Sequence, residues 1–411
     1  MFNRKPGKRA LAFIFLTVFI DMIGLAIIIP VMPQLIMELT GEPLAQAARY
    51  GGLLLLIYAT MQFFMSPVIG NLSDRYGRRP VLLLSLLGYA IDYSIMGLAP
   101  ALSWLFIGRM FSGAFAATYA TANAYVADVS TPETRAGNFG IMGAAFGLGF
   151  IIGPVIGGFL GEISPRAPFF AASGLAFLNF LYGFFVLPET LPKEKRRKFE
   201  WRRANPLGSL LQMRVHPVVI GILGALFLVQ LAHMSLPAVW SYFSIEKFGW
   251  SERDIGFSLA FVGLTSAIVQ AGLTRKVVPR IGEVRAASLG IGAMALSLLA
   301  YAFAQAGWQV YAALAFGSIA GFIMPSFMAV MSKRLPENEQ GELQGAIASI
   351  QAMVMIITPL GMTQIFAFFT ESGTSLYFPG APFFLGAILA ALALPIFLTA
   401  VAVREADAPA E

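Results

Sequence analysis

The sequence has no cysteine and only two histidines, His216 and His233, in 411 residues. The first absence excludes disulfides and thiol chemistry, though it says little about compartment. The second leaves no H-E-x-x-H pair, so a metal-dependent membrane protease lacks its ligands and no metal site is expected. No G-x-x-x-x-G-K-[ST] run occurs either, which removes the phosphate-cradling loop of an ATP-driven pump. Charge is scarce as well: 12% of residues are ionised, against roughly 25% in a soluble domain. With 57% hydrophobic residues and a mean hydropathy of +0.74, the chain is not a water-soluble globule.

What is present is apolar length. A membrane-crossing helix needs about 20 mostly apolar residues. Such runs recur around 10–36, 50–70, 80–99, 101–126, 136–161 and 168–188, then around 216–245, 254–274, 284–304, 307–332, 342–369 and 378–403. The reading is an all-α integral membrane protein with twelve spans. Met1 to Ile29 mimics a signal peptide, but no small-residue cleavage site follows. Pro30 and Pro33 are read as continuing a long helix, so the segment is expected to be retained. Lys and Arg gather in the loops of one side, and the positive-inside rule places both termini and the 189–215 loop in the cytoplasm. The net charge of +6 is mostly this asymmetry. The run from Lys193 to Arg203 is therefore a topology-fixing linker rather than a nucleic-acid patch.

The linker divides the chain into 1–188 and 216–411, six spans each. Pro132-Glu133-Thr134-Arg135-Ala136-Gly137 returns 204 residues later as Pro336-Glu337-Asn338-Glu339-Gln340-Gly341, and Pro154 finds Pro359 at a shift of 205. Together these matches indicate duplicated, pseudo-symmetric six-helix halves, a transporter signature.

Three ionisable residues lie deep in apolar segments: Asp21, Asp92 and Arg109. A charge near a bilayer centre costs at least ~2.5 kcal/mol, so it is rarely kept without a use. An Asp subject to both desolvation and a nearby Arg can be poised to exchange a proton. Arg109 shares a helical face with Ser112, Gly113, Ala116, Tyr119, Ala120 and Asn123. Asp21, with Thr17 and Gly24 on its face, is the expected counter-charge, although a static ion pair satisfies the same pattern. Asp92 fits a coupling role or a water-filled lateral crevice.

The loop Gly70-Asn71-Leu72-Ser73-Asp74-Arg75-Tyr76-Gly77-Arg78-Arg79-Pro80 is read as a tight turn made by two glycines. It matches G-x-L-x-D-R-x-G-R-R throughout, and so resembles the signature loop of the major facilitator superfamily. That resemblance implies the superfamily's fold and a latch in which Asp74 and Arg78 pair with Asp128 and hold the halves together. The corresponding stretch, Gly272 to Arg285, keeps Gly282 and several basic residues but no Asp at the matching place, so the latch is expected to be asymmetric.

Gly149, Gly153, Gly157 and Gly161 recur every fourth residue, giving a smooth face for close helix packing. With Gly147, Pro154 and Gly158 they also resemble the antiporter motif of drug/proton exporters. Asp21-x-x-Gly24-x5-Pro30-x-x-Pro33, Gly108-Arg109-x-x-Ser112-Gly113 and Phe248-Gly249-Trp250 carry a resemblance to the tetracycline-resistance exporters along nearly the whole chain. That resemblance implies a functional monomer in the bacterial inner membrane that exports small amphipathic molecules or drugs. Protons drive it, with no cofactor, no enzymatic site and no nucleic-acid partner. Where those exporters carry a His in the eighth span and an Asp in the ninth, this chain has Ser266 and Met294. A neutral, more apolar cargo than tetracycline is therefore expected. Gln62, Asn123, Gln230, His233 and Trp240 are the candidate substrate contacts. A proton-coupled carrier of an endogenous metabolite, with drugs incidental, is the alternative.

Overall fold

The computed structural model describes residues 8–116, 118–197, 217–336 and 339–402. Most of the linker, both extreme termini, Glu337 and Asn338 lie outside them. The first span consists of α1 (Lys8–Ala26) and α2 (Met32–Thr40). Next come α3 (Leu44–Tyr76), α4 (Arg78–Gly97), and α5 (Leu102–Phe115) followed by α6 (Thr118–Val129). The first half closes with α7 (Pro132–Ile163) and α8 (Ala167–Val186). After the linker come α9 (Pro217–Phe248) and α10 (Glu252–Ile268), the latter passing through a π-helical turn at Val269–Leu273 into α11 (Thr274–Ile281). Then follow α12 (Glu283–Phe303), α13 (Gly307–Gly317), a 3₁₀ stretch at Ser318–Phe322, α14 (Ile323–Ser332), α15 (Gln340–Thr370) and α16 (Ala381–Ala402).

Only helices or closed barrels satisfy their backbone polar groups in hydrocarbon, which is why apolar runs of this length fold this way. Among the described residues ten helices are long and apolar enough to cross a membrane. The split first and fourth spans bring the crossings to twelve. The chain is a multi-pass membrane protein.

The first span is not the continuous helix expected from sequence. Pro30 has no N–H to give the Ala26 carbonyl, which accepts instead from the Ile29 N–H at 3.2 Å, and the chain turns between Ile27 and Val31. Pro33, near the start of α2, then re-enters a helix where its missing donor costs nothing.

Contacts gather the chain into two units that do not follow chain order. One comprises Met1–Pro43, Leu54–Ala204 and Trp250–Gly263; the other comprises Leu44–Leu53, Asn205–Gly249 and Leu264–Glu411. Glycines explain the two exchanged segments. In the first unit Gly256 abuts the Pro154 carbonyl, and a methyl on Gly158 would lie 2.6 Å from the Glu252 carbonyl oxygen. In the second unit Gly51 lies against the hydroxyl end of Tyr242 and Gly52 against Thr363 and Leu360. Gly52 and Gly256 are 204 residues apart, the shift already seen in the repeats.

Each unit has its own interior. In the first, Phe13, Ile14 and Val18 of α1 pack with Leu82, Tyr125, Val126 and Met142. In the second, Trp240, Phe243, Tyr301 and Phe383 form a ring cluster with centroids 4.8–6.2 Å apart. Lipid is as apolar as these side chains, so packing fit and hydrogen bonds, not water exclusion, decide their placement.

Candidate functional site

The first unit holds the buried charges. Asp92 of α4 and Arg109 of α5 are 1% and 5% exposed. Ser112, one turn after Arg109, donates its hydroxyl to Asp92 Oδ2. Two glycines make this approach possible. A methyl on Gly108 would lie 2.9 Å from Asp92 Oδ1, and a methyl on Gly113 would lie 2.8 Å from Met61 Cβ while meeting the Tyr58 carbonyl. Gly113 thus lets α5 touch α3, which sets the Arg109 guanidinium 5.9 Å from the Tyr58 ring centroid and 4.0 Å from Met32 Sδ. This is the physical content of the Arg-x-x-x-Gly spacing. Asp92 Oδ1 and Arg109 Nε have no hydrogen-bond partner among the described residues. Both groups therefore keep hydrogen-bonding capacity that no described residue uses.

Asp21 has a different partner from the one expected. Among the described residues Arg109 and Asp21 form no ion pair. Asp21 instead faces α8, where Asn179 Nδ2 lies 3.5 Å from its Oδ1 and donates to the Thr17 carbonyl at 3.2 Å. The reason is register: Asp21 and Thr17 are one turn apart on the stripe of α1 that packs on α8. Asn179 was missed in the sequence. Its signal is a lone amide in the otherwise apolar run Ala176–Phe180.

At the linker end of the spans, Arg78 ties three side chains together. It donates to Asp74 Oδ1 at 2.6 Å, to Asp128 Oδ2 at 3.2 Å and to Ser73 Oγ at 3.0 Å. The turn is made by Gly77 alone, at φ 107°. Gly70 lies inside α3, which runs through the loop sequence to Tyr76 while Asn71 bonds back to the Pro67 carbonyl at 2.9 Å. Arg75 is exposed and lies over Tyr76. Arg79 donates to the Phe184 carbonyl in the last turn of α8 at 2.7 Å.

Glu189, the first acid of the linker, completes this arrangement and was also missed. Its carboxylate accepts from the backbone N–H groups of Arg78 and Arg79 at 2.9 and 3.3 Å, satisfying donors at the α4 N-terminus. Gly77 is thus required twice, since a side chain there would also strike that carboxylate. The sequence signal was an acid directly after the sixth span facing a loop of three arginines.

The antiporter-motif glycines serve two partners. Gly149 meets Met22 and Phe19, Gly153 meets Ala26 and Ile23, Gly157 meets the Ile27 carbonyl and Gly161 meets Val31. Pro154 and Gly158 face the start of α10 instead.

The candidate substrate groups divide. Gln62 and Asn123 are half-buried in the first unit, and Gln230 is half-buried in the second, where His233 is exposed. Trp240 is only 1% exposed and packed among rings, so it is an interior residue and not a cavity wall. Ser266 is half-buried, and Met294 is 5% exposed within the second unit.

The profile of the Major Facilitator Superfamily matches residues 14–359. The chain belongs to that superfamily, in the group that holds the tetracycline resistance proteins. The class C tetracycline resistance protein of Escherichia coli is 40% identical over 361 residues, 88% of this chain and 90% of that one. The class G protein of Vibrio anguillarum is 40% identical over 392 residues, 93% and 95% of the two chains. In fold, the crystal structure of the nucleoside transporter NupG superposes with a TM-score of 0.75, covering 95% of this chain and 98% of that one at 11% identity. Superfamily members are transporters of small molecules, and the twelve-helix fold is theirs.

Proposed function

We propose that the chain is a proton-driven efflux antiporter that exports small amphipathic molecules by alternating access. The observation that carries this reading is the Asp92–Ser112–Arg109 cluster, a titratable acid and a fixed cation buried between apolar spans with hydrogen-bonding capacity left over. Its likeness to the tetracycline resistance proteins supports the direction of transport. Asp92 takes a proton from the outer side and releases it inward, and Arg109 stabilises the carboxylate once the proton has left. Asp21 provides a second carboxyl beside α8. Moving one proton through 100 mV supplies about 2.3 kcal/mol, enough to support substantial accumulation.

Asp74, Arg78 and Asp128 act as a latch on conformational switching, with Glu189 anchoring the linker beside them. The two six-helix halves are a duplication divided by residues 189–215. The protein works as a monomer in the lipid bilayer of the bacterial inner membrane, with both termini cytoplasmic, and needs no cofactor. Its cargo is neutral or apolar, because Met294 offers no charge where the tetracycline exporters carry an Asp. The test is transport in proteoliposomes with an imposed pH gradient, using a panel of lipophilic dyes and drugs. Uptake that ignores the gradient would sink the reading.

A further inference from the structure

We infer that Asn179 is the positioning residue through which α8 responds to the protonation of Asp21, its side-chain amide reversing as the carboxyl gains or loses its proton. This rests on the proposed role of Asp21 in proton coupling. Asn179 is 1% exposed, and its Nδ2 serves the Thr17 carbonyl and the Asp21 carboxylate at 3.2 and 3.5 Å. Its Oδ1 is buried and has no partner among the described residues, and neither has Thr17 Oγ1. Buried polar atoms without partners are uncommon and call for a reason.

The reason lies in what each state of Asp21 offers. An ionised carboxylate only accepts, and the amide nitrogen meets it. A protonated carboxyl gains one O–H donor and needs an acceptor. The unused Asn179 Oδ1 supplies it after the amide turns over about its terminal torsion, a rotation that needs no change of backbone. The proton stays on Asp21 throughout, and no bond to Asn179 is made or broken other than hydrogen bonds. An amide is the smallest side chain that offers a strong donor and a strong acceptor from one rigid plane, so it matches both states. Turning it withdraws Nδ2 from the Thr17 carbonyl, which changes how α1 is held to α8.

Few other groups compete. Of the elements packed against α1, α7 has no ionisable residue between Arg135 and Glu162. On α8 the only titratable group is Tyr182, stacked on Phe13 a turn away. On α6, Tyr125 is engaged with the Pro188 carbonyl and Asp128 with Arg78, both at the linker end. On α4, the Tyr93 ring lies against Gly24, one turn on from Asp21, with Tyr89 stacked on it, and Asp92 next to Tyr93 is engaged by Ser112.

Size and hydrogen bonding are separated by two variants of the full-length protein. Asn179→Leu keeps the volume and loses both hydrogen-bonding functions; Asn179→Ser loses volume and keeps a group that donates and accepts. The proposal expects gradient-driven dye export to fall at least tenfold in Asn179→Leu and to stay within about threefold of the parent in Asn179→Ser. A packing peg gives the reverse order, and that order overturns the proposal. Infrared difference spectra of the purified protein across a pH titration provide a readout independent of transport. The protonated-carboxyl band that disappears in Asp21→Asn should be accompanied by a change in the Asn179 amide band, and in Asn179→Leu it should move to the frequency of an unbonded acid. An Asp21 band unaltered by Asn179→Leu also overturns the proposal. Loss of export in Asp21→Asn with that unaltered band would sink the role of Asn179 while leaving the coupling role of Asp21 intact.

Discussion

Glu283 and Lys333 form a 2.6 Å ion pair at positions 205 residues beyond Arg78 and Asp128, whose own pair spans 3.2 Å with the charges reversed. The backbone repeats as well: Gly282, at φ 83°, turns α11 into α12 as Gly77, at φ 107°, turns α3 into α4. Judged by its missing Asp, the second-half loop is degenerate, with Pro279 at that place. Its cross-helix pair survives in inverted polarity. Reversing one member alone, by Glu283→Lys or Lys333→Glu, should slow turnover severalfold, and the double reversal should restore it. A double reversal no better than either single variant would show that the pair is ornamental.

The same pair has a pH signature. The hydrogen bond from Lys333 holds the Glu283 carboxyl below its ordinary range, with the Lys333 charge adding to it. A depressed acid contributes stability above its unfolded pKa of about 4.3, and that stability is lost as pH falls through the folded value. The Lys333 side chain is 67% exposed, so the contribution is at most about 1 kcal/mol. Thermal unfolding of the parent and Glu283→Gln should differ slightly at neutral pH and converge once pH has fallen through the folded value of Glu283. A gap that does not close on acidification would contradict the assignment.

Asp21→Asn and Asp92→Asn should each abolish gradient-driven export while the protein still inserts and exchanges substrate down its own gradient. Active accumulation in either variant removes that residue from the coupling path.

Asp74→Asn removes the charge from the 2.6 Å ion pair with Arg78. Turnover should fall while equilibrium dye affinity stays within a few-fold, measured by binding and by spectroscopic reporters of switching. A large affinity loss with normal switching would overturn the latch.

In a drug-sensitive host the protein should raise resistance to some lipophilic compound more than to tetracycline, because Ser266 and Met294 leave the second unit without the expected His and Asp. Strong proton-dependent tetracycline resistance would show that the first-unit carboxylates suffice.

The spans and the signature loop were legible because length, charge sidedness and a ten-residue pattern are local properties of the chain. Partnerships across helices were not. Asp21 could have faced α5 or α8, and only the register of α1 on its neighbours decides for Asn179. Pro30 was visible, but its effect depended on whether the Ala26 carbonyl had another donor. Trp240 resembled a cavity residue because an aromatic in an apolar span has no sequence mark that separates a wall from an interior. Glu189 was hidden by lying in the linker, where an acid among bases looks like ordinary solvated surface.

The seam between α1 and α7 works as a notched track. Gly149, Gly153 and Gly157 recur at a rise of about 6 Å, and each admits one turn of α1. A side chain at any one of these positions would strike α1, so the spacing of the two helices depends on every member of the row staying bare. Asp21 then has a wall on its α7 side that is backbone against backbone and carries no group able to titrate or rotate, and every polar neighbour it has comes from the other helices packed on α1.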